Sequence, residues 1–328
     1  MLQQKTVNGH LALCLENACL RVGVLPHKGA DIFEFSYKTP GRQEAIQFLM
    51  QTPWGLKPPA SQPPTDFLDN YEGGWQELFP NANDGCQYAG QEIPFHGEVA
   101  LESWDFDTLP GQNGETVLDL SAKCRRTPFL LERRMQLSGG ESRLVIREKV
   151  TNVGPQPCHF VWGHHLTLGG DFLEGGCELD IPARDIYTPE VLYEPLTARL
   201  KPGQISKWPF ASGRSGELID LSYIPAPSAR VHDDAIVGGL ERGYYRVVNP
   251  RLKLAFSLEW DSEVFPWLMF WQPYGGAELP PLTGIYGVGL EPWVSRYPLA
   301  KAVETGQARC LTAGESLQTE LVASVDQL

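Results

Sequence analysis

Leu252-Lys-Leu-Ala-Phe-Ser-Leu-Glu-Trp260 alternates large apolar residues with small or charged ones along its whole length. Leu252, Leu254, Phe256, Leu258 and Trp260 form one set; Lys253, Ala255, Ser257 and Glu259 form the other. Successive side chains of a strand point to opposite faces, so this stretch reads as a strand with one face in a core. Arg143–Val150 repeats the pattern, with Leu144, Ile146 and Val150 on one face. Asn249-Pro250, between Tyr244–Val248 and the quoted stretch, has the chemistry of a hairpin loop. Further strands are expected at Leu11–Val24, Asp31–Tyr37, Thr116–Lys123, Leu131–Leu137, Cys158–Leu168, Cys177–Ile181, Pro266–Gln272, Tyr286–Glu291 and Thr319–Val325. No stretch holds a 3.6-residue period over three turns, and Gln43–Gln51 is at best a short helix.

Composition agrees with many short strands. The 328 residues include 33 Gly and 27 Pro, too much punctuation for a helical protein, while 42% apolar residues suffice for a large core. There is no internal repeat and no linker with a change of composition on either side. The proline-rich Trp54–Asp66 segment reads as a long loop, because strand patterns resume after it. The expected fold class is all-β, a large antiparallel β-sandwich forming a single domain over residues 1–328.

The formal charge of −13, from 40 acidic and 27 basic residues, disfavours nucleic acid and anionic membranes as partners. Arg125-Arg126 and Arg133-Arg134 read as solvated strand faces. Seven scattered cysteines (14, 19, 86, 124, 158, 177, 310) show no C-x-x-C spacing, so neither zinc nor a redox motif is indicated. No secretory pattern follows Met1, and no apolar run approaches a membrane span; a reduced cytosolic, cytoplasmic setting is the expectation.

Three stretches concentrate reactive groups. In Phe160-Val-Trp-Gly-His-His-Leu-Thr-Leu-Gly169, alternation sorts His164 with Phe160, Trp162, Leu166 and Leu168, and His165 with Val161, Gly163 and Thr167. His164 is thus expected in the core or behind the site, and His165 on the roomier side. Joint metal ligation is disfavoured, because strand neighbours diverge. In Tyr286-Gly-Val-Gly-Leu-Glu-Pro-Trp293, Gly287, Gly289 and Glu291 share a face, so the glycines leave space beside a carboxylate; Pro292 is expected to end the pairing. Asn70-Tyr-Glu-Gly-Gly-Trp-Gln-Glu-Leu-Phe-Pro-Asn81 and Ile93-Pro-Phe-His-Gly-Glu98 combine aromatic faces with polar groups, a mixture that suits a sugar and equally an ordinary loop.

Taken in order, Gly73–Asn81, Phe95-His-Gly97, Trp162-Gly-His-His165 and Leu290-Glu-Pro-Trp293 resemble the motifs of the aldose 1-epimerase family, in a divergent branch. The resemblance implies a galactose mutarotase-like supersandwich that binds a sugar on the concave face of one sheet. It also implies interconversion of α and β anomers without metal or cofactor. Carried over, Glu291 is the general base and His165 the general acid, with His96 holding a hydroxyl or the ring oxygen. The chain departs from the galactose-specific pattern in lacking an arginine near the early loop, where Gln76, Glu77 and Asn81 are expected to take over contacts. The family's binding aspartate has Asp233, or Asp234 beside it, as its candidate; His164 is counted among the residues supporting the substrate. The expected partner is a small sugar, an aldose or a sugar phosphate, and exposed aromatic strands would support a homodimer. The alternatives are a non-catalytic carbohydrate-binding or sugar-sensing domain, or a lyase or hydrolase on a related sandwich. A hydrolase would need a second carboxylate beside Glu291, with Glu77 as the candidate.

Overall fold

The computed structural model describes residues 2–39, 41, 43–60, 66–110 and 115–328. They form two large antiparallel sheets, one of 14 strands and one of 8. The middle of the larger sheet runs, in spatial order, Asp31–Tyr37, Trp75–Leu78, Gly163–Leu168, Val288–Trp293, Trp267–Tyr274 and Val231–Gly238. The smaller sheet contains Leu254–Trp260, Ser316–Gln327, Arg143–Asn152 and Phe129–Leu137 side by side. Its inner residues pack on one face of the larger sheet, with Phe256 edge-on to Phe35 at 5.6 Å and Phe129 edge-on to Phe79 at 5.2 Å. Such aromatic pairs add to the apolar burial that holds the two layers together. The described strands and their two-layer packing give the all-β sandwich expected from alternation.

The hairpin forms between Gly243–Asn249 and Leu254–Trp260, with Asn249 opposite Leu254. Leu252 lies in the turn rather than the strand, because Asn249 Oδ1 accepts the Leu252 N–H and Lys253 takes φ +55°. Gln43–Gln51 holds no helix; Ile46–Gln47 pairs instead with Ser36–Tyr37. The expected Cys158–Leu168 strand divides in two, Cys158–Phe160 pairing with Arg309–Leu311 and Gly163–Leu168 entering the large sheet. Pro292 does not end its strand, which continues to Trp293. Of the Trp54–Asp66 loop, residues 61–65 lie outside the described ones. No described helix is long and apolar enough to cross a membrane. All seven cysteines are free.

Candidate active site

The site is written in strand register. Gly163 stands opposite Trp293 and Thr167 opposite Gly289, which sets His165 opposite Glu291. Gly289 in turn faces Trp271, and Trp271 faces Asp234. Cross-strand partners share a face. Four adjacent strands therefore project His165, Glu291, Trp271 and Asp234 from the same side of the large sheet, away from the second sheet. They line a cavity of about 220 Å³, together with His96, Phe67, Tyr71 and Trp293.

His165 Nε2 lies 3.7 Å from Glu291 Oε1. On its other side, Nδ1 is 3.5 Å from the Thr167 hydroxyl, which is 3.0 Å from that of Tyr71. The rings of Tyr71, His96, Phe67 and Trp271 surround the imidazole at 5.1–5.6 Å. This enclosure strips water from the pair, and desolvation penalises whichever form is charged. Burial accordingly pushes His165 down to about 4. Burial, aided by the charge of Asp234, raises Glu291 well above the usual carboxylate range. Asp234 is itself pushed up to about 7, first by burial and then by Asp233 and Glu194. A Cβ on Gly289 would collide with Glu291 Oε1, so glycine there is what gives the carboxylate its place.

His96 arrives from a loop. It takes φ +61°, and Gly97 follows at φ +78° with the Phe79 carbonyl where a Cβ would stand. His96 Nδ1 bonds the Ala82 carbonyl at 3.1 Å. A carbonyl only accepts, so Nδ1 carries the hydrogen and Nε2 is left as an acceptor. Burial, with His165 nearby, holds its pKa well below the ordinary value.

Other expected site residues are placed elsewhere. Gln76 shares a face with His165, but its amide donates to the Gly73 carbonyl at 2.6 Å and is not among the residues lining the cavity. Asn81 donates to the carbonyls of Asn83 and Asp84 and accepts the Leu299 N–H, tying loops together. Asp233 points to the opposite face from Asp234, where it binds Arg199 and the backbone N–H groups of Arg199 and Leu200. Asp234 is thus the aspartate in the cavity. Val231, Ala235 and Val237 put Asp233 in the core-facing set of its strand, a pattern present in the sequence. Tyr71, Phe67 and Trp271 carry no local pattern that marks them as the box around His165.

His164 and Glu77, opposite each other in register, face the sandwich interior. There they meet Arg133 and Glu148 of the second sheet. Arg133 is only 3% exposed and pairs with both Glu77 and Glu148, which corrects its reading as part of a solvated face. His164 Nε2 is 3.1 Å from Glu148, and the Trp75 indole nitrogen is 3.2 Å from Nδ1. Burial alone would lower His164, but Glu148 and Glu77 outweigh it and hold its pKa above the ordinary value. Burial would raise Glu148, yet His164 and Arg133 bring it down to about 2. Glu77 is pushed up to about 7 by burial and by Glu148, against the pull of His164 and Arg133. Glu77, Glu148 and His164 converge closely enough to hold a metal ion, but the Arg133 guanidinium already joins the two carboxylates. The cluster is a buried polar bridge between sheets. Because Glu77 is on the far face from Glu291, these two carboxylates cannot flank one glycosidic bond.

A larger trough of about 680 Å³ on the outer face of the second sheet is lined by charges that satisfy one another, among them Arg134 with Asp119 and Lys149 with Glu132.

Residues 8–325 match a family described as "Domain of unknown function (DUF4432)". No curated protein matches the sequence. Solved structures that share the fold include a protein provisionally named aldose 1-epimerase from Klebsiella pneumoniae, at 13% identity and TM-score 0.72, covering 99% of this chain and 83% of that one. A galactose mutarotase-like protein from Clostridium acetobutylicum is 13% identical, with TM-score 0.67 and coverage of 100% and 99%. A galactose mutarotase related enzyme from Lactobacillus acidophilus is 17% identical, with TM-score 0.61 and coverage of 96% and 97%.

Proposed function

The chain belongs to the DUF4432 family, and from its cavity we propose that it is an isomerase of the aldose 1-epimerase type, interconverting the α and β anomers of an aldose. The observation that carries the reading is the pairing of His165 with Glu291 at 3.7 Å within a water-poor aromatic box. The names and shared fold of the structural relatives agree with it.

Opening a cyclic hemiacetal removes the proton of the anomeric hydroxyl and delivers one to the ring oxygen. The His165–Glu291 pair needs a single mobile proton for this. With the proton on His165, Glu291 is the base and His165 the acid; with it on Glu291, the roles exchange. Mutarotation uses both arrangements, since ring closure reverses the two transfers after rotation about C1–C2. Burial disfavours charge on both groups, so the pair rests as a carboxylic acid beside a neutral imidazole. The proton passes from Glu291 to His165 before the ring opens, leaving Glu291 as the base at the anomeric hydroxyl and His165 as the acid at the ring oxygen. The Thr167–Tyr71 hydroxyl chain orients the imidazole. His96 Nε2 and the Asp234 carboxylate, which line the same cavity, take ring hydroxyls in this reading. Each positioned acid or base contributes about 10²–10⁴-fold, enough for a reaction that already proceeds spontaneously.

The experiment is saturation-exchange NMR of anomeric protons in free aldoses with and without protein. The reading expects protein-dependent α/β exchange for at least one aldose. Binding without exchange across the panel would point instead to a sugar-binding domain.

A further inference from the structure

Resting on the epimerase reading, the surroundings of His165 narrow the substrate class. In an aldohexopyranose, C6 hangs from the carbon bonded to the ring oxygen, so it must stand beside the group that protonates that oxygen. The rings that surround His165 are those of Tyr71, Phe67, Trp271 and His96. Phe67 offers only carbon. The Trp271 N–H is already donated to His232 Nε2 at 2.7 Å, and the Tyr71 hydroxyl is engaged with Thr167. His96 Nε2 and the remaining lone-pair capacity of the Tyr71 oxygen are the acceptors left for whatever occupies that place. A methyl group meets three matching walls there, whereas a hydroxymethyl group must turn its hydroxyl to one of these few acceptors or lose its hydrogen bond.

Charge points the same way. Among the described residues lining the cavity there is no lysine or arginine, and three carboxylates are present: Asp84 at the exposed mouth, then Asp234 and Glu291. Nearby cations are engaged elsewhere. Arg199 is held by Asp233, Lys28 by Asp31 and Glu72, and Arg296 lies over the rings of Tyr187 and Trp267. A phosphate or carboxylate on C6 would enter an apolar wall that offers it no cation.

We infer that the cavity selects an uncharged aldose with an apolar C6 end, a 6-deoxyhexose, over hexoses, and rejects hexose 6-phosphates and uronates. The chemistry lies at C1 and O5, and the selection lies at the Phe67–Tyr71–Trp271 wall.

The test uses the full chain and matched sugars that differ only at C6: D-fucose, D-galactose, D-galactose 6-phosphate and D-galacturonate, with the corresponding D-gluco set beginning at D-quinovose. Anomeric exchange is read by saturation-exchange NMR. Within the faster series, the 6-deoxy sugar is expected to exceed its hydroxymethyl parent by roughly 10-fold in kcat/KM. The charged members are expected to fall roughly 100-fold or more below that parent. A phosphate or uronate as fast as the parent, or a parent faster than its deoxy form, overturns the inference. Exchange absent from every sugar overturns the epimerase reading itself. Binding, measured on the same samples by saturation-transfer difference, then judges the selection separately: the same rank order upholds it, and a flat or reversed order sinks it.

Discussion

His164 and His165 share a peptide bond, yet their surroundings drive them in opposite directions. His165 looks into a cavity of aromatic rings that pushes its pKa down to about 4. His164 looks into the sandwich, where two carboxylates hold its pKa above the ordinary value despite burial. Both are buried, so burial alone does not decide the protonation state of a histidine. The partners do, and the two-residue period of the strand determines which partners each one meets. In the proposed function one face of Gly163–Leu168 carries the proton transfer, and the other ties two sheets together.

The largest expected effect breaks the cavity side of this comparison. Glu291→Gln removes the group that exchanges a proton with His165 and should lower anomeric exchange by about 10²–10⁴-fold, with an unchanged circular dichroism spectrum. Retained exchange would remove Glu291 from the chemistry.

On the interior side, Arg133→Ala leaves Glu77 and Glu148 buried without their guanidinium, which should cost about 3–5 kcal/mol of stability in urea unfolding. A loss below 1 kcal/mol, the range of exposed pairs, would show that the cluster does not bridge the sheets.

Gly289→Ala tests the join between the faces' geometry and the chemistry. The new methyl group would displace the Glu291 carboxylate, and a misplacement near 1 Å costs about 10²-fold in rate, to be measured in the same exchange assay. Unaltered activity would mean that the carboxylate works from another position.

The smallest effects are pH-dependent and differ between the two sides. Exchange should follow a bell. Its acid limb falls near pH 4 as His165 takes up a second proton for the pair, and its alkaline limb lies above the usual carboxylate range, where Glu291 gives up the last one. In the interior, the raised pKa of His164 contributes stability that is fully present below the ordinary 6.5 and is lost as pH rises through the folded value. The stability difference between the wild type and His164→Asn should therefore be largest on the acid side of neutrality and shrink as pH rises. Glu148, depressed to about 2, contributes above the ordinary 4.5 and loses that contribution as pH falls towards 2. A difference that grows with pH would mean that His164 is held neutral.

What the sequence made legible follows the same division. Alternation is local, so it separated His164 from His165 and put Gly289 beside Glu291 without any knowledge of neighbouring strands. It also held information about Asp234 and Arg133. Asp233 falls in one set with Val231, Ala235 and Val237, and Arg133 in one set with Phe129, Leu131, Met135 and Leu137. Both core-facing charges are compensated by residues far away in sequence, Arg199 for the one and Glu77 with Glu148 for the other. Without those partners in view, Arg133 reads as a surface residue and Asp233 as a carboxylate free to bind substrate. The Phe67–Tyr71–Trp271 box was not legible, because it is assembled from separate strands and loops by tertiary packing. Pro292 misled the reading of the strand end, since a missing N–H still allows the chain to remain in register.

The most direct test is one paired measurement, the anomeric exchange rate of His165→Asn and of His164→Asn at equal concentrations of folded protein. His165→Asn should fall to the spontaneous rate while His164→Asn keeps most of its activity and loses stability instead. Full activity in His165→Asn, or a dead but fully stable His164→Asn, would contradict the assignment of chemistry to one face of the strand and cohesion to the other.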